Sequence, residues 1–444
     1  MDCGGSANDD VGKTSSSGAS GIVGIQLGVM KTVNRCCCRR VWLATGLPTC
    51  IALAALALPI RAHAQFTGQA SATGQFESNS NVFDLAAGSP ANGTGGLRPS
   101  DTFFAYGAQF DASYLWGRQQ IFATGSTTEY DYQRFTELTH NGYNVDAGLI
   151  WQLGEPLDGK LDVTRSHTMV PFYNLTGSAL TLSLVTVQKE MVQSGLKLGS
   201  EWRLEGSAYT SQSDEPIQNA PNLQLTETSL TTSIKYLGID RFTSGLTAGY
   251  SSGDYSGSNN YSYLNPSYRQ STAGLLTDYK SIRTTFEGQI GYTRRVSATG
   301  SDNTSGLTGA FSFTQQLTPK TSFTGKIDRV IDSYLLNAGS EIETDAGADL
   351  HWQTTFKLAV SLGYKFMYED YPGQGNNPVG SNRVDIQETT TMSISYQPRR
   401  WLLIGPYANW QTRRSTFIGA HYSANIIGVH VTVTPYTPPH YTPR

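Results

Sequence analysis

Asp101 to Gly117 reads DTFFAYGAQFDASYLWG, and taking it at every second position separates it into two faces. Phe104, Tyr106, Ala108, Phe110, Ala112, Tyr114 and Trp116 fall on one face. Gly107, Gln109, Asp111 and Ser113 make most of the other. Only an extended strand sorts a period of two onto opposite sides. At roughly 3.3 Å per residue the stretch exceeds an average soluble strand and can cross a bilayer on a tilted path. It reads as a transmembrane β-strand.

Working outward, Gln65 to Phe76 reads as the first strand, and Glu77 to Ser100, polar and containing Gly and Pro, as the first external loop. The quoted strand turns back at Gly117-Arg118 into one from Gln119 to Arg134. A fourth runs from Gly142 to Gly154, with Tyr143, Val145, Ala147, Leu149 and Trp151 alternating against Asn144, Asp146 and Gln152. The same rule predicts strands near 157–167, 187–199, 200–212, 224–237, 240–252, 268–279 and 281–294. It predicts more near 303–317, 320–334, 342–354, 356–368, 383–397, 400–414 and 421–434. Short turns alternate with long loops, as in a bacterial outer-membrane barrel. The expected fold is all-β: a transmembrane antiparallel up-and-down β-barrel of about 18 strands, with about 16 as the alternative if one hairpin is lost.

A cleavable export signal is expected ahead of the barrel. It starts at Met30, continues through Lys31, Arg35, Arg39 and Arg40 and the apolar run Val41 to Pro59, and ends on Ala62-His63-Ala64. Cleavage is expected between Ala64 and Gln65. This divides the chain into an over-called or disordered extension (1–29), a signal peptide (30–64), the barrel (65–434) and a C-terminal tail (435–444). All 5 cysteines precede the cleavage site, which leaves no disulfide framework and no thiolate metal site. Acidic residues outnumber Lys plus Arg, 35 to 32, so nucleic acid is an unsuitable partner.

With about 18 strands the cylinder is too wide for side chains to fill, and its lumen is expected to hold water. The charged candidates for lining it are Asp111, Asp146, Arg283, Glu287, Arg383, Asp385 and Arg413. They read either as opposing walls that set a transverse field or as a network in which the charges neutralise one another. Trp116, Trp151, Trp202, Trp352 and Trp401 fall beside the expected periplasmic turns, where an aromatic girdle meets the membrane interface. The loop Gly253 to Ser267, with Tyr255, Asn259, Asn260, Tyr261, Tyr263 and Asn265, reads either as a sugar-stacking surface or as a solvated external loop. Tyr371 to Ser381 reads as a second such loop.

Signals for catalysis are weak. His140, His167, His351, His421, His430 and His440 are scattered without metal-ligand spacing, and Ser415 with His421 is the nearest nucleophile and base pairing. No enzyme activity and no cofactor is expected.

Three stretches carry a family resemblance. They are Glu77-Ser78-Asn79-Ser80-Asn81-Val82-Phe83, the rhythm of Tyr130 to Leu153, and the closing Arg413-Arg414-Ser415, Tyr422, Asn425 and Gly428. Together they resemble the EpsL-like outer-membrane β-barrels encoded with exopolysaccharide synthesis genes, within the type 2 β-barrel porin group. The resemblance implies a barrel serving export of an extracellular or capsular polysaccharide, with periplasmic and inner-membrane synthesis proteins as partners and no catalytic residues. The chain departs from barrels that end on an aromatic residue, because Pro435 to Arg444 follow the last strand. The alternatives are a general or substrate-specific diffusion porin and, from another class, a barrel enzyme or surface adhesion protein.

Overall fold

The computed structural model describes residues 66–86, 98–172, 182–215, 223–257, 267–298, 303–334, 339–372, 383–417 and 419–435. The expected leader, its cleavage point at Ala64 and Gln65, Asn259 to Asn265 and the tail beyond Pro435 lie outside them. In chain order the strands are β1 (Phe66–Asn79), β2 (Asp101–Trp116), β3 (Gln119–Tyr132), β4 (His140–Leu153), β5 (Leu157–Met169) and β6 (Leu184–Leu198). There follow β7 (Trp202–Glu215), β8 (Leu223–Ile239), β9 (Phe242–Gly257), β10 (Tyr268–Lys280), β11 (Thr284–Ser297) and β12 (Thr304–Thr318). The last are β13 (Thr321–Tyr334), β14 (Gly339–Thr355), β15 (Leu358–Tyr371), β16 (Arg383–Arg399), β17 (Leu402–Ser415) and β18 (Tyr422–Val433). A 3-10 turn, Thr136–Leu138, lies between β3 and β4.

Each strand pairs antiparallel with its neighbours in sequence, and β1 pairs with β18, so the 18-stranded sheet closes on itself. Closure follows from the solvent. In hydrocarbon an unpaired backbone N–H or C=O has no water to bind, and a closed cylinder leaves no edge. No helix among the described residues is long and apolar enough to cross a membrane. The crossing is made by strands.

Alternation decides which way each side chain points. On β2, Phe104, Tyr106, Phe110, Tyr114 and Trp116 are exposed on the outer wall, whereas Phe103 and Ala105, one residue out of phase, are buried inside. Phe103 lies opposite Tyr132 in the register, and from there the parity carries around the cylinder. The outer wall carries Leu161 and Val163, Leu204, Leu230 and Ile234, Leu246, Leu275, Ile290, Phe311 and Phe313, Leu362 and Ile427, all exposed. A monomeric soluble protein does not leave so continuous an apolar belt uncovered.

The connections are sorted by end. Short turns join β2 to β3, β4 to β5, β6 to β7, β8 to β9, β10 to β11, β12 to β13, β14 to β15 and β16 to β17, at the end that also holds Phe66 and Val433. Register shifts beside the turns of β8/β9, β12/β13, β14/β15 and β16/β17 tighten four of these hairpins. Longer connections occupy the external end.

Most boundaries shift by a few residues from the sequence reading, and two of the shifts move a candidate residue. β1 runs on to Asn79, placing Glu77 on a wall and not in a loop. β11 begins at Thr284, leaving Ile282 and Arg283 in the turn. Ser281 causes the second shift: its N–H donates to the Thr284 carbonyl (2.8 Å), and its hydroxyl accepts the Thr284 N–H (3.1 Å). Ile282 continues the apolar period in sequence but is 96% exposed in the turn.

Candidate channel lumen and its external mouth

The inner wall is polar over most of its height, and many of its charges fall into three groups. At the periplasmic end a chain of ion pairs runs around the wall from β5 to β10. Arg203 on β7 grips Asp158 on β5 with both terminal nitrogens (2.9 and 2.6 Å) and donates through Nε to Glu205 (2.7 Å). Lys235 continues it to Glu205 (2.9 Å) and toward Asp278 (3.8 Å), which lies opposite Glu287 in the register. Lys160 pairs with Asp162 on the same wall, and Asp146 lies diagonal to Asp162 in the register.

The second group lies on β13 to β15, nine strands around from β4 to β6 and hence on the opposite side of the cylinder. There Asp328, Glu341, Glu343, Asp345, Asp349 and Glu369 face inward with Lys326 and Lys365 as the cations. Lys365 pairs with Asp345 at 2.6 Å. A cavity of about 490 Å³ opens against this wall, lined by Lys326, Asp328, Asp345, Asp349, Lys365 and Thr391 among others.

The third group is sealed. Asp385 on β16 accepts from Arg383 Nε (2.7 Å) and from Arg413 (2.5 Å), and Arg413 also donates to Glu369 (3.0 Å). Arg383, Asp385 and Arg413 are 2%, 0% and 1% exposed. All three point inward, yet a solute in the lumen does not meet them. Of the residues singled out from sequence, Asp111 and Glu287 face the lumen exposed, Asp146 faces it half-buried, and Arg283 lies in the β10/β11 turn, off the wall. Arg383, Asp385 and Arg413 are therefore covered on the inner wall, and Arg283 stands off it.

Several contacts on the inner wall skip a strand, and three of them pass over a glycine. Arg203 crosses Gly195 of β6, Tyr268 crosses Gly253 of β9 to reach Glu227 on β8, and Tyr407 crosses Gly428 of β18 to reach Glu77 on β1. A Cβ at those glycines would meet the crossing side chain at 2.0, 2.1 and 2.5 Å. Tyr209 donates to the same Glu227, and the guanidinium of Arg295 stacks 3.4 Å over the Tyr268 ring.

The external mouth carries an apolar knot. Val82 and Phe83 from the loop after β1, Phe135 and Leu138 from the loop after β3, and Phe172 after β5 pack onto the inward residues Phe103, Ala105 and Tyr132. These loops therefore bend over the mouth of the β1 to β5 wall. Two side chains fix the segments after β1 and β3. The Asn81 amide donates to the carbonyls of Leu85 (2.8 Å) and Ser423 (3.1 Å), and its oxygen accepts the Leu85 N–H (3.0 Å). The Asp101 carboxylate accepts the N–H groups of Thr102, Arg134 and Phe135 (2.7, 3.0 and 2.9 Å). His140 donates from Nδ1 to the Leu138 carbonyl (2.7 Å) and stacks on Tyr130 at 4.8 Å.

The remaining sequence candidates are placed as follows. Trp116, Trp151, Trp202 and Trp352 lie in the periplasmic portions of their strands, and Trp401 lies in the β16/β17 turn. Tyr255 lies within β9, its ring 6.4 Å from that of Tyr268. Ser415 accepts the Phe417 N–H (3.0 Å), and no hydrogen bond among the described residues joins it to His421. Among the described residues no group of three or more His, Cys, Asp or Glu could hold a metal ion.

A closed antiparallel cylinder with an apolar outer belt, a polar inner wall, short turns at one end and long loops at the other is an outer-membrane β-barrel. The bacterial outer membrane is its location. No family model matches the sequence, and no curated protein matches it. Among solved structures the chain is similar to the outer membrane protein opdK from Pseudomonas aeruginosa, at 11% identity over 83% of this chain and 99% of that one, with a TM-score of 0.44. It is similar to OccK5 (OpdH) of the same organism, at 12% identity over 83% and 98%, with a TM-score of 0.43. It is also similar to the FrpB iron transporter from Neisseria meningitidis, at 11% identity over 78% and 62%, with a TM-score of 0.45.

Proposed function

We propose that this chain is a passive diffusion channel for small polar solutes, with a preference for cationic or zwitterionic ones. The observation that carries the reading is the charge of the β13 to β15 wall. Asp328, Glu341, Glu343, Asp345 and Asp349 face the interior there, against Lys326 and Lys365. In a water-filled lumen with low-dielectric walls, a one-sided excess of carboxylates raises the local concentration of cations and lowers that of anions. Arg203 and Lys235 at the periplasmic end are each paired with carboxylates. No turnover chemistry is assigned. Trp116, Trp151, Trp202, Trp352 and Trp401 anchor the periplasmic rim at the lipid interface in this reading.

Polysaccharide export, the role implied by the EpsL-like resemblance, is the narrower alternative. Its motif residues already have structural work. Glu77 and Gly428 meet at the barrel seam, Ser80 and Asn425 bond to one another there, and Asn81, Val82 and Phe83 build the knot that covers part of the mouth. Those positions therefore account for themselves as closure and loop seating, without a polymer.

Conductance in planar bilayers under a potassium chloride gradient tests the proposal. A reversal potential on the cation side is expected, moving toward zero in Asp345→Asn/Asp349→Asn. Absence of channels, or anion preference, sinks it. Loss of surface polysaccharide on deletion, with uptake of small cations unchanged, would favour export instead.

A further inference from the structure

We infer that the outer wall of β10 and β11 holds a phosphorylated headgroup of an outer-leaflet lipid between Arg269 and Arg294. Strand length sets the level. A 14-residue strand such as β11 extends roughly 46 Å at about 3.3 Å per residue, and a tilt of about 40° leaves a height near 35 Å. The apolar band of a barrel is about 25 Å tall, so the external ends of the strands project into the headgroup layer.

On β11 the outward side chains run Phe286, Ile290 and Tyr292 before reaching Arg294; on β9 they run Leu246 and Tyr250 before reaching Ser252. Tyr250 and Tyr292, 48% and 55% exposed, mark the upper rim of the belt. Arg269 and Arg294 stand just above it, both exposed. Arg294 lies opposite Ser271 on one side and Ser305 on the other, and Arg269 lies opposite Ser252 and Val296. The two arginines are thus diagonal neighbours on one face, at a Cα separation of roughly 7–8 Å.

Like charges set side by side repel unless something neutralises them. Asp254, diagonal to Arg269, is the nearest carboxylate by register, and no ion pair joins the two. Neither guanidinium makes an ion pair or hydrogen bond with another described residue. Arg414, also outward, has its own partner in Glu388 at 2.7 Å. Every lysine in the described strands faces inward. The pair is therefore a site of unneutralised, forked donors at headgroup depth. Ser305, which accepts from the Tyr292 hydroxyl (2.9 Å), keeps its own O–H to donate. A phosphate monoester on a membrane lipid fits this set, because guanidinium groups bind phosphate oxygens in pairs.

The test uses the protein extracted from the outer membrane in mild detergent. Two lipids are added separately: a diglucosamine lipid phosphorylated on both sugars, and the same lipid dephosphorylated. Native mass spectrometry counts the lipid retained. Wild type is expected to hold the phosphorylated form about tenfold or more tightly over the other, and Arg269→Gln/Arg294→Gln to lose that preference. Arg269→Lys/Arg294→Lys, which keeps the charge, is expected to keep part of it, and Arg165→Gln, on the outer face of β5 opposite Val145, to keep all of it. Heat-modifiable migration in gels establishes that each variant is folded. The assignment is overturned if the double Gln variant retains the preference. It is equally overturned if inorganic phosphate at the same concentration displaces the lipid, since the site would then take a free anion.

Discussion

The hydroxyl of Tyr407 donates to the carboxylate of Glu77 across Gly428, joining β17 to β1 over the last strand. The bond spans the only place where the cylinder must close between the two ends of the chain. Gln75 reinforces it, donating to Tyr407 (2.7 Å) and to Glu77 (3.0 Å). The backbone seam here is short: β1 pairs with β2 from Phe66 to Asn79 but with β18 only from Ala72 to Asn79. Gly428→Val is therefore expected to displace the Tyr407 ring, which would meet the new Cβ at 2.5 Å, and to lower the folded fraction sharply. Tyr407→Phe keeps the ring and removes one bond, costing about 1–3 kcal/mol. Heat-modifiable migration in gels reads both, and equal behaviour of the two variants would count against a clasp.

The apolar knot at the mouth hangs on one carboxylate. Asp101 accepts three backbone N–H groups that fix the loop bearing Phe135. Asp101→Ala leaves those donors unpaired, at about 1–3 kcal/mol. It is expected to release the loop from Phe103 and Tyr132 and to raise single-channel conductance and its noise. Phe83→Ser should raise conductance as well, because the Phe83 ring contacts those of Phe135 (4.7 Å) and Phe172 (5.0 Å). Unchanged conductance in both variants would remove the knot from the permeation path.

Lipid and lumen faces should respond to charge in opposite ways. Asp at Phe110 or Ile290, both on the outer belt, is expected to impair assembly. A charge against lipid near the midplane costs up to about 2–4 kcal/mol for Arg or Lys and less for Asp. Asn at Asp111 or Gln at Glu287, one residue from parity on the inner wall, should fold normally and change only ion preference. The yield of folded barrel in vesicles separates the two sets.

Period-two alternation made the strands legible, because the membrane forces a one-residue rule on every one of them. It failed where a turn borrowed an apolar residue, as at Ile282. The lumen charges were legible as identities but not as environments: Arg383, Asp385 and Arg413 look like Asp111 in sequence, and only the fold shows them sealed. The crossings over Gly195, Gly253 and Gly428 join strands two apart, a relation that no spacing along one strand reports. An inward glycine facing a long polar side chain was the available sign. The knot had a sign too. Phe103 and Ala105 are apolar on the wet face of the Asp101 to Gly117 stretch, and they are the surface on which the loops land.

Sealed and open charges on neighbouring strands make a last prediction with two sides. Arg413→Leu removes the donor to Glu369 (3.0 Å) and one of the donors to Asp385 (2.5 Å), leaving buried carboxylates with fewer partners. Breaking a buried pair from one side costs about 3–5 kcal/mol, so thermal stability should fall steeply. Replacing Glu369 with Gln in the same chain should recover part of the loss, and ion preference in whatever barrel still folds should stay as it was. Asp345→Asn behaves inversely. Its partner Lys365 is 54% exposed to the lumen, so stability should barely change while the uncovered cation pulls the reversal potential toward zero. If Arg413→Leu shifts selectivity and Asp345→Asn shifts only stability, then the acidic wall of β13 to β15 is scaffold and the solute path lies elsewhere in the cylinder.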